Sequence, residues 1–483
     1  MTRRGILSFG AYVPRRRLDR RAIAAAHAWA NPNLKALARG TRAICGQDED
    51  SLTMAVAAGA QALAALDMPA VAALSVASTT MPFADRQNAT LIGEALALPD
   101  TLATADLGGS LRAGVAALRA AFERPQTSLV VAADKRHTRP ASAQEMRVGD
   151  AAAALVVGEG EVLAEFVAGH ALSVDFVDHY RASDADFDYA LEERWARDMG
   201  ALRILPRAIE ATLTRAGVAG AAVARVVMAG FPRREAEAIA AKCGLAAAAI
   251  VDDLIEPCGD SGCAHPLLLL TLALQSAAPG DLILVVGYGQ GAETLLLRAT
   301  DAIGRAGAMV GAAQMLADGT TDDNYLRFLS FSGALALDWG MRAERDNRTA
   351  QSAFFRHRQT VTGFVGGRCT ACDTAQFPRT RVCVNPDCRQ TDTQVAEPFA
   401  DKAATVKSFT EDWLALSYSP PLMYGNVRFA GGGVTMLEFS DFAPGALAVD
   451  TPLALAFRLK DVDARRGFRR YCWKAVPPRR LSA

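Results

Sequence analysis

Over roughly the first 300 residues, short apolar runs alternate with amphipathic, alanine-rich stretches. The runs at 72–79, 128–134, 151–158, 223–231, 281–289 and 293–298 predict strands, and the stretches at 52–66, 111–122 and 206–216 predict helices. Strands alternating with helices of this length imply an α/β layered fold. The pattern runs twice. ALSVAST, a helix, SLVVAAD, a turn and AAAALVVGEG are followed by RVVMAGF, two helices, DLILVVGYG, a turn and AETLLLRAT. Two αβ halves related by a pseudo-twofold are expected.

The texture then changes. A polar, helical stretch at 301–360 reads as a connector. After Gly363 the cysteines cluster, and short β-like runs follow at 402–410, 433–439, 452–459 and 469–476. Pro420-Pro421 and Gly431-Gly432-Gly433 punctuate them. Closely spaced short strands of this kind predict a small barrel. A chain of 483 residues also exceeds one ordinary core. The expected division is 1–300 for the layered domain, 301–360 for the connector, 361–395 for a cysteine-rich module and 396–483 for the barrel.

Composition narrows the function classes. Apolar residues make up 51% and charged residues 22%, a globular balance. The 52 basic side chains are matched by 52 acidic ones, so no nucleic-acid or anionic-membrane surface is expected. The longest apolar run, at 267–274 with Thr271 inside it, is too short to span a bilayer. The opening MTRRGILSFG lacks the long apolar region of a signal peptide. Nine cysteines without such a leader point to a reducing, cytoplasmic setting, where clustered cysteines are metal ligands more often than disulfides.

Four of those cysteines have metal-ligand spacing. Cys369 and Cys372 form one close pair, Cys383 and Cys388 another, with ten residues between the pairs. Four thiolates so arranged suit a closed, tetrahedral Zn²⁺ site, with free thiols or a rubredoxin-type iron site as the alternatives. A closed site leaves no coordination position for a substrate, so its expected role is structural.

In ADLGGSLRAGVAAL a helix is expected to open at Ser110, behind Gly108 and Gly109. A hydroxyl there feels the positive helix end and free backbone N–H groups, which suits a nucleophile or an oxyanion site. The plainer role is an N-cap.

The order of several segments adds a resemblance. GILSFGAYVPRRRL, DEDSLTMAV, DLGGSLRAG, DFVDHYR, CGDSGCAHP and GYGQGAET follow one another as in the hydroxymethylglutaryl-CoA (HMG-CoA) synthase branch of the thiolase superfamily, from about residue 5 to 300. GFVGGRCTACDTAQFPRTRVCVNPDC, YGNVRFAGGGVTMLEFSDF and RRYCWKAVP resemble the zinc-ribbon/OB-fold family associated with acyl-CoA enzymes. The resemblance implies a thiolase-like αβαβα fold, an OB-fold barrel, a coenzyme A thioester as substrate and a homodimer. For the C-terminal part it implies a role beside a partner thiolase. It places a general acid/base at Glu49 and the nucleophile position at Ser110, which the family fills with cysteine.

Departures from that pattern shape the expected chemistry. A serine hydroxyl is far less acidic than a thiol and needs an adjacent base. The family's catalytic histidine falls at Ala229 or Gly230, so it is missing. The asparagine of its GN loop becomes Asp260, and His265 follows five residues on. Glu49, Ser110, Asp260 and His265 are the expected catalytic groups. They suit aldol-type proton transfer beside a CoA thioester, or a serine-borne acyl group with His265 as base. Oxyanion donors are expected around Gly109 and in the turn at Gly289. His179 is expected in the pocket lining or core, and Cys258 and Cys263 beside Asp260 are expected as buried packing or pocket thiols. With both Cys and His gone, a second reading stays open: a scaffold that presents CoA substrates to a partner thiolase.

Overall fold

The computed structural model describes residues 3–66, 69–344, 350–463 and 465–480. Residues 345–349 of the expected connector, and 464 and 481–483 of the expected barrel module, lie outside the described residues.

Nine strands form one mixed sheet: β1 (Arg4–Tyr12), β2 (Ala73–Ala77), β3 (Ala103–Leu107), β4 (Ser128–Asp134), β5 (Ala151–Glu159), β6 (Ala164–Ser173), β7 (Val223–Met228), β8 (Leu282–Tyr288) and β9 (Gly291–Ala299). Their spatial order is β7-β8-β9-β6-β1-β5-β4-β2-β3. β4 runs parallel to β2 and antiparallel to β5. In the same way β8 runs parallel to β7 and antiparallel to β9. The two units meet where β1 pairs antiparallel with β6, and β3 is an extra edge strand. The repeat read from the sequence is therefore a repeat of topology.

Among the helices packed on this sheet are α1 (Ser51–Ala64), α2 (Ala113–Glu123), α3 (Leu202–Ala216) and α4 (His265–Ser276). Side chains alternate across a strand, and the alternation assigns the layers. Val130, Ile283 and Val285 join α2 and α4 in one core cluster. Leu129 and Val131, on the other face, join α1, while Leu284 and Val286 join α3. The sheet is thus wrapped around α2 and α4 with α1 and α3 outside, an αβαβα arrangement. Strands buried on both faces read as continuous apolar runs, and β4 is buried at every position.

The C-terminal part holds a ribbon of three short strands, β10 (Val365–Cys369), β11 (Ala375–Gln376) and β12 (Gln394–Pro398). A closed five-stranded barrel follows: β13 (Ala404–Asp412), β14 (Leu422–Phe429), β15 (Val434–Phe439), β16 (Pro452–Asp463) and β17 (Phe468–Val476), in the order β13-β14-β15-β17-β16. Phe364, Phe377, Phe399, Phe429 and Trp473 tie ribbon to barrel, in an apolar cluster continuous with α1. The connector is not wholly helical. Its Thr320–Asp322 adds a parallel strand to Arg16–Asp19, and its Tyr325 hydroxyl donates to Glu145 at 2.8 Å. Among the described residues no helix is long and apolar enough to cross a membrane.

Candidate active site

A cavity of about 890 Å³ opens beyond the carboxyl ends of β4, β7 and β8. Crevices at the carboxyl ends of parallel strands are where α/β folds collect ligands. Leu111, Arg136, His179, Gly230, Asp260 and Tyr288 are among its walls.

His179 and Asp178 form the chemistry-bearing pair. Their side chains are 20% and 16% exposed, and His179 Nδ1 lies 2.7 Å from Asp178 Oδ1. An ionised carboxylate takes the Nδ1 proton, so Nε2 carries the lone pair. No described residue is hydrogen-bonded to Nε2. Tyr288, at the end of β8, has a buried hydroxyl with no hydrogen-bond partner among the described residues. Burial, reinforced by the Asp178 carboxylate, pushes that phenol above its ordinary pKa, so it stays a proton donor. Packing leaves no room for a side chain at Gly200, which lies against the Tyr288 oxygen and the Phe176 ring. Asp260 accepts from the Gly262 N–H at 2.8 Å through Oδ1. Its Oδ2 faces the space above Gly230, where a Cβ would stand 3.6 Å away. Gly230 has φ +85°, a left-handed conformation that glycine adopts freely. The position where the resemblance loses a histidine is therefore open, and His179 supplies an imidazole to the same cavity from another loop. A buried ion pair, Arg136 with Asp188, closes one side.

Several expected site residues stand elsewhere. Ser110 does not line the cavity; its neighbour Leu111 does. The Ser110 hydroxyl donates to the Gly289 carbonyl at 2.8 Å and accepts the Arg112 N–H at 3.3 Å, and α2 opens only at Ala113. Ser110 thus ties a turn and carries no free nucleophile. The Gly289 N–H is spent on the Gly291 carbonyl, and neither Gly289 nor Gly109 is among the residues that line the cavity. His265 is fully buried, with Nε2 at 2.8 Å from the Asp253 carbonyl and Nδ1 at 3.3 Å from the Ser261 N–H. Both ring nitrogens are occupied, which corrects its expected role as a base. Cys258 and Cys263 are core residues. Burial pushes the Cys258 thiol up to about 11 and that of Cys263 well above its usual value.

Glu49 is the largest correction. It lies outside the cavity, 4% exposed, against Arg458 of barrel strand β16. Its carboxylate also accepts from the Tyr12 hydroxyl, and from the Gly46 N–H at 2.7 Å. Burial alone would raise its pKa. The Arg458 guanidinium, the Tyr12 hydroxyl and the Gly46 N–H outweigh burial and hold the carboxyl below its usual range. The flanking acids do the same work. Asp48 accepts from Ser440 Oγ at 2.7 Å and pairs with Lys474 at 3.1 Å, and Asp50 accepts from the Tyr471 hydroxyl at 2.7 Å. The acidic run at 48–50 is thus a three-pronged dock for the barrel, invisible to local sequence because its partners lie some 400 residues away.

The four ribbon cysteines converge. Their Sγ atoms all lie within 4.8 Å of one another, with Cys369–Cys388 at 3.9 Å and Cys372–Cys383 at 3.6 Å. Tetrahedral thiolates at a Zn–S distance of about 2.3 Å stand about 3.8 Å apart. Cys369, Cys372, Cys383 and Cys388 therefore fit a closed structural zinc site.

Relatives place this architecture. Over 314 residues the chain is 29% identical to the hydroxymethylglutaryl-CoA synthase of Aeropyrum pernix, covering 62% of this chain and 86% of the relative. The chain resembles the HMG-CoA synthases. That of Archaeoglobus fulgidus is 28% identical over 316 residues, covering 62% of this chain and 90% of the relative. The solved structure of MvaS in complex with 3-hydroxy-3-methylglutaryl coenzyme A superimposes with a TM-score of 0.59 at 22% identity, over 68% of this chain and 92% of that one. Its likeness confirms the thiolase-like fold. Residues 363–393 match the family of the ChsH2 rubredoxin-like zinc ribbon domain.

Proposed function

We propose that this chain makes or breaks a C–C bond beside a coenzyme A thioester by acid–base chemistry, without an acyl-enzyme. The observation that supports it is the content of the cavity. An oriented His–Asp pair lines it, Tyr288 stands in its wall with an unpaired hydroxyl buried just behind the surface, and the turn expected to bear the nucleophile offers only Leu111. Residues 1–300 are the catalytic part in this reading, 301–360 the connector, 361–395 the ribbon and 396–483 the OB-type barrel.

In the cleavage direction, His179 Nε2 removes the proton of a β-hydroxyl. The Cα–Cβ bond then breaks to give a carbonyl product and a thioester enolate. The Tyr288 hydroxyl hydrogen-bonds the enolate oxygen, and the imidazolium returns its proton to Cα. Asp178 holds the imidazole tautomer and stabilises its charged form. The condensation runs the same steps backwards. Asp260 Oδ2 is the second group placed for proton transfer.

The test is product analysis with a panel of 3-hydroxyacyl-CoA thioesters, run on the whole chain and on His179→Ala. Aldol fragments from the wild type that disappear in the variant support the reading; equal product from both sinks it. One observation favours the scaffold reading instead, namely the neutralisation of Glu49 by Arg458. It predicts no product from the chain alone and product when a thiolase is added.

A further inference from the structure

A second group of unused side chains lies along the seam between the layered domain and the barrel. It comprises Phe83 and Arg86 after β2, Lys135 and His137 after β4, Arg181 two residues beyond His179, and Arg469 at the start of β17. All six are partly exposed, so a solute can reach them. The Arg86 guanidinium stands 4.7 Å from the Phe83 ring centroid and 5.1 Å from that of Phe468, stacked across the two domains. One of its terminal nitrogens is buried without a hydrogen-bond partner among the described residues. The Lys135 ammonium donates to the Glu49 carbonyl oxygen at 3.2 Å. Neither Arg86 nor Lys135 forms a direct ion pair with a carboxylate among the described residues; the buried Asp150 acts on Lys135 only through space and is itself hydrogen-bonded to the Cys45 and Arg136 N–H groups. The acids nearby are already shared. Asp50 serves Arg469 at 3.3 Å and the Tyr471 hydroxyl, and Asp188 serves Arg136 as well as Arg181 at 3.8 Å.

Half-buried cations without counter-charges are costly, and a charged acceptor reaching them forms short, charge-assisted hydrogen bonds. We propose that this seam is a binding site for a multi-oxygen anion, held by Lys135 and Arg86 with Arg181 and Arg469 at its edges. His137 fits this environment: burial, with Lys135, Arg181, Arg42 and Arg469 around it, pushes its imidazole down to about 4. An anion there reverses much of that push. The seam adjoins the cavity through Asp188, which lines the cavity and pairs with Arg181. Two sources share this chemistry, the phosphates of a coenzyme A nucleotide and a carboxylate at the far end of an acyl chain. Assigning the anion to an acyl-CoA rests on the reading above; anion binding itself does not.

The experiment is calorimetric titration of the full chain with adenosine 3′,5′-bisphosphate and, separately, with glutarate. One of the two is expected to bind at a single site, with a dissociation constant that rises about 10-fold to 100-fold in Lys135→Met. The nucleotide arm identifies a phosphate site and the glutarate arm a carboxylate site. Arg86→Lys keeps the charge and the seam should it be needed for folding, and is expected to bind more tightly than Lys135→Met. NMR titration gives an independent readout: the bound anion moves the His137 pKa upward from about 4 in the wild type and much less in Lys135→Met. Neither anion binding, or equal binding by wild type and Lys135→Met, overturns the proposal. Because binding is read without turnover, failure of the His179 chemistry leaves this result unchanged.

Discussion

Replacing Arg458 by Met cuts the central prong of the barrel dock. Arg458 and Glu49 are each 4% exposed, so water screens the pair little. Removing one partner leaves Glu49 an uncompensated buried carboxylate, which costs about 3–5 kcal/mol. Asp441, 2.8 Å from Arg458, loses its partner as well, and the Tyr12 hydroxyl loses a donor at 3.1 Å. Methionine fills much of the arginine's volume, so a cavity adds little. The expected destabilisation is therefore about 3–5 kcal/mol. Glu49→Gln keeps the shape and the Gly46 bond and costs less. Because the two side chains share one interaction, the double variant falls short of the summed single effects by about 0.5–3 kcal/mol. Urea unfolding of the full chain reads this, by circular dichroism and by fluorescence of the buried barrel residue Trp473. The pH dependence has a definite sign. Asp48 is held at about 2 against an ordinary 3.8, so its contribution is complete above the ordinary value and lost as pH falls toward 2. Glu49, also held low, contributes in the same direction. A cost below about 1 kcal/mol for Arg458→Met, the range of exposed ion pairs, refutes the dock.

The cavity and the ribbon give further expectations. His179→Ala lowers kcat about 10²- to 10⁴-fold, the usual contribution of a positioned acid/base, while Asp178→Asn lowers it less and shifts the pH–rate profile. Tyr288→Phe lowers kcat about 10²- to 10³-fold with little change in KM, because the lost hydrogen bond is made to developing charge. Ser110→Ala leaves turnover within a few-fold of wild type and costs about 1 kcal/mol in stability, since its hydroxyl only ties a turn; a complete loss of turnover in a folded variant contradicts this. Elemental analysis is expected to find one zinc per chain. Chelation or Cys372→Ser removes it and lowers the melting temperature of the ribbon-linked barrel, with the layered domain less affected.

Legibility followed how local each signal was. β4 and β8 stand out because burial on both faces leaves a nearly continuous apolar run. The predicted strands leave out β1, β3 and β6 of the sheet: RGILSFGAY in β1 breaks its apolar residues with Gly and Ser, β3 is a partly exposed edge, and AEFVAGHALS in β6 mixes buried and exposed positions without a clean alternation. The zinc site is encoded within twenty residues and was readable in full. The nucleophile position turned on a shift of one residue, because Ser110 and Leu111 point to opposite sides of one turn and spacing cannot tell which faces the cavity. Glu49 and His265 failed for a different reason. Their partners are Arg458 and the Asp253 carbonyl, and no local pattern announces a distant guanidinium or a backbone oxygen. Asp178 was missed although DFVDHYR places it directly before His179. Adjacent Asp and His are a usable sign only once a cavity is known to receive the imidazole.

Whether an acyl-enzyme forms is decided most directly by intact-mass spectrometry of the chain after brief incubation with acyl-CoA thioesters, with and without hydroxylamine. The account predicts an unmodified mass under conditions in which aldol fragments accumulate. A hydroxylamine-labile acyl adduct on the peptide carrying Ser110 contradicts it.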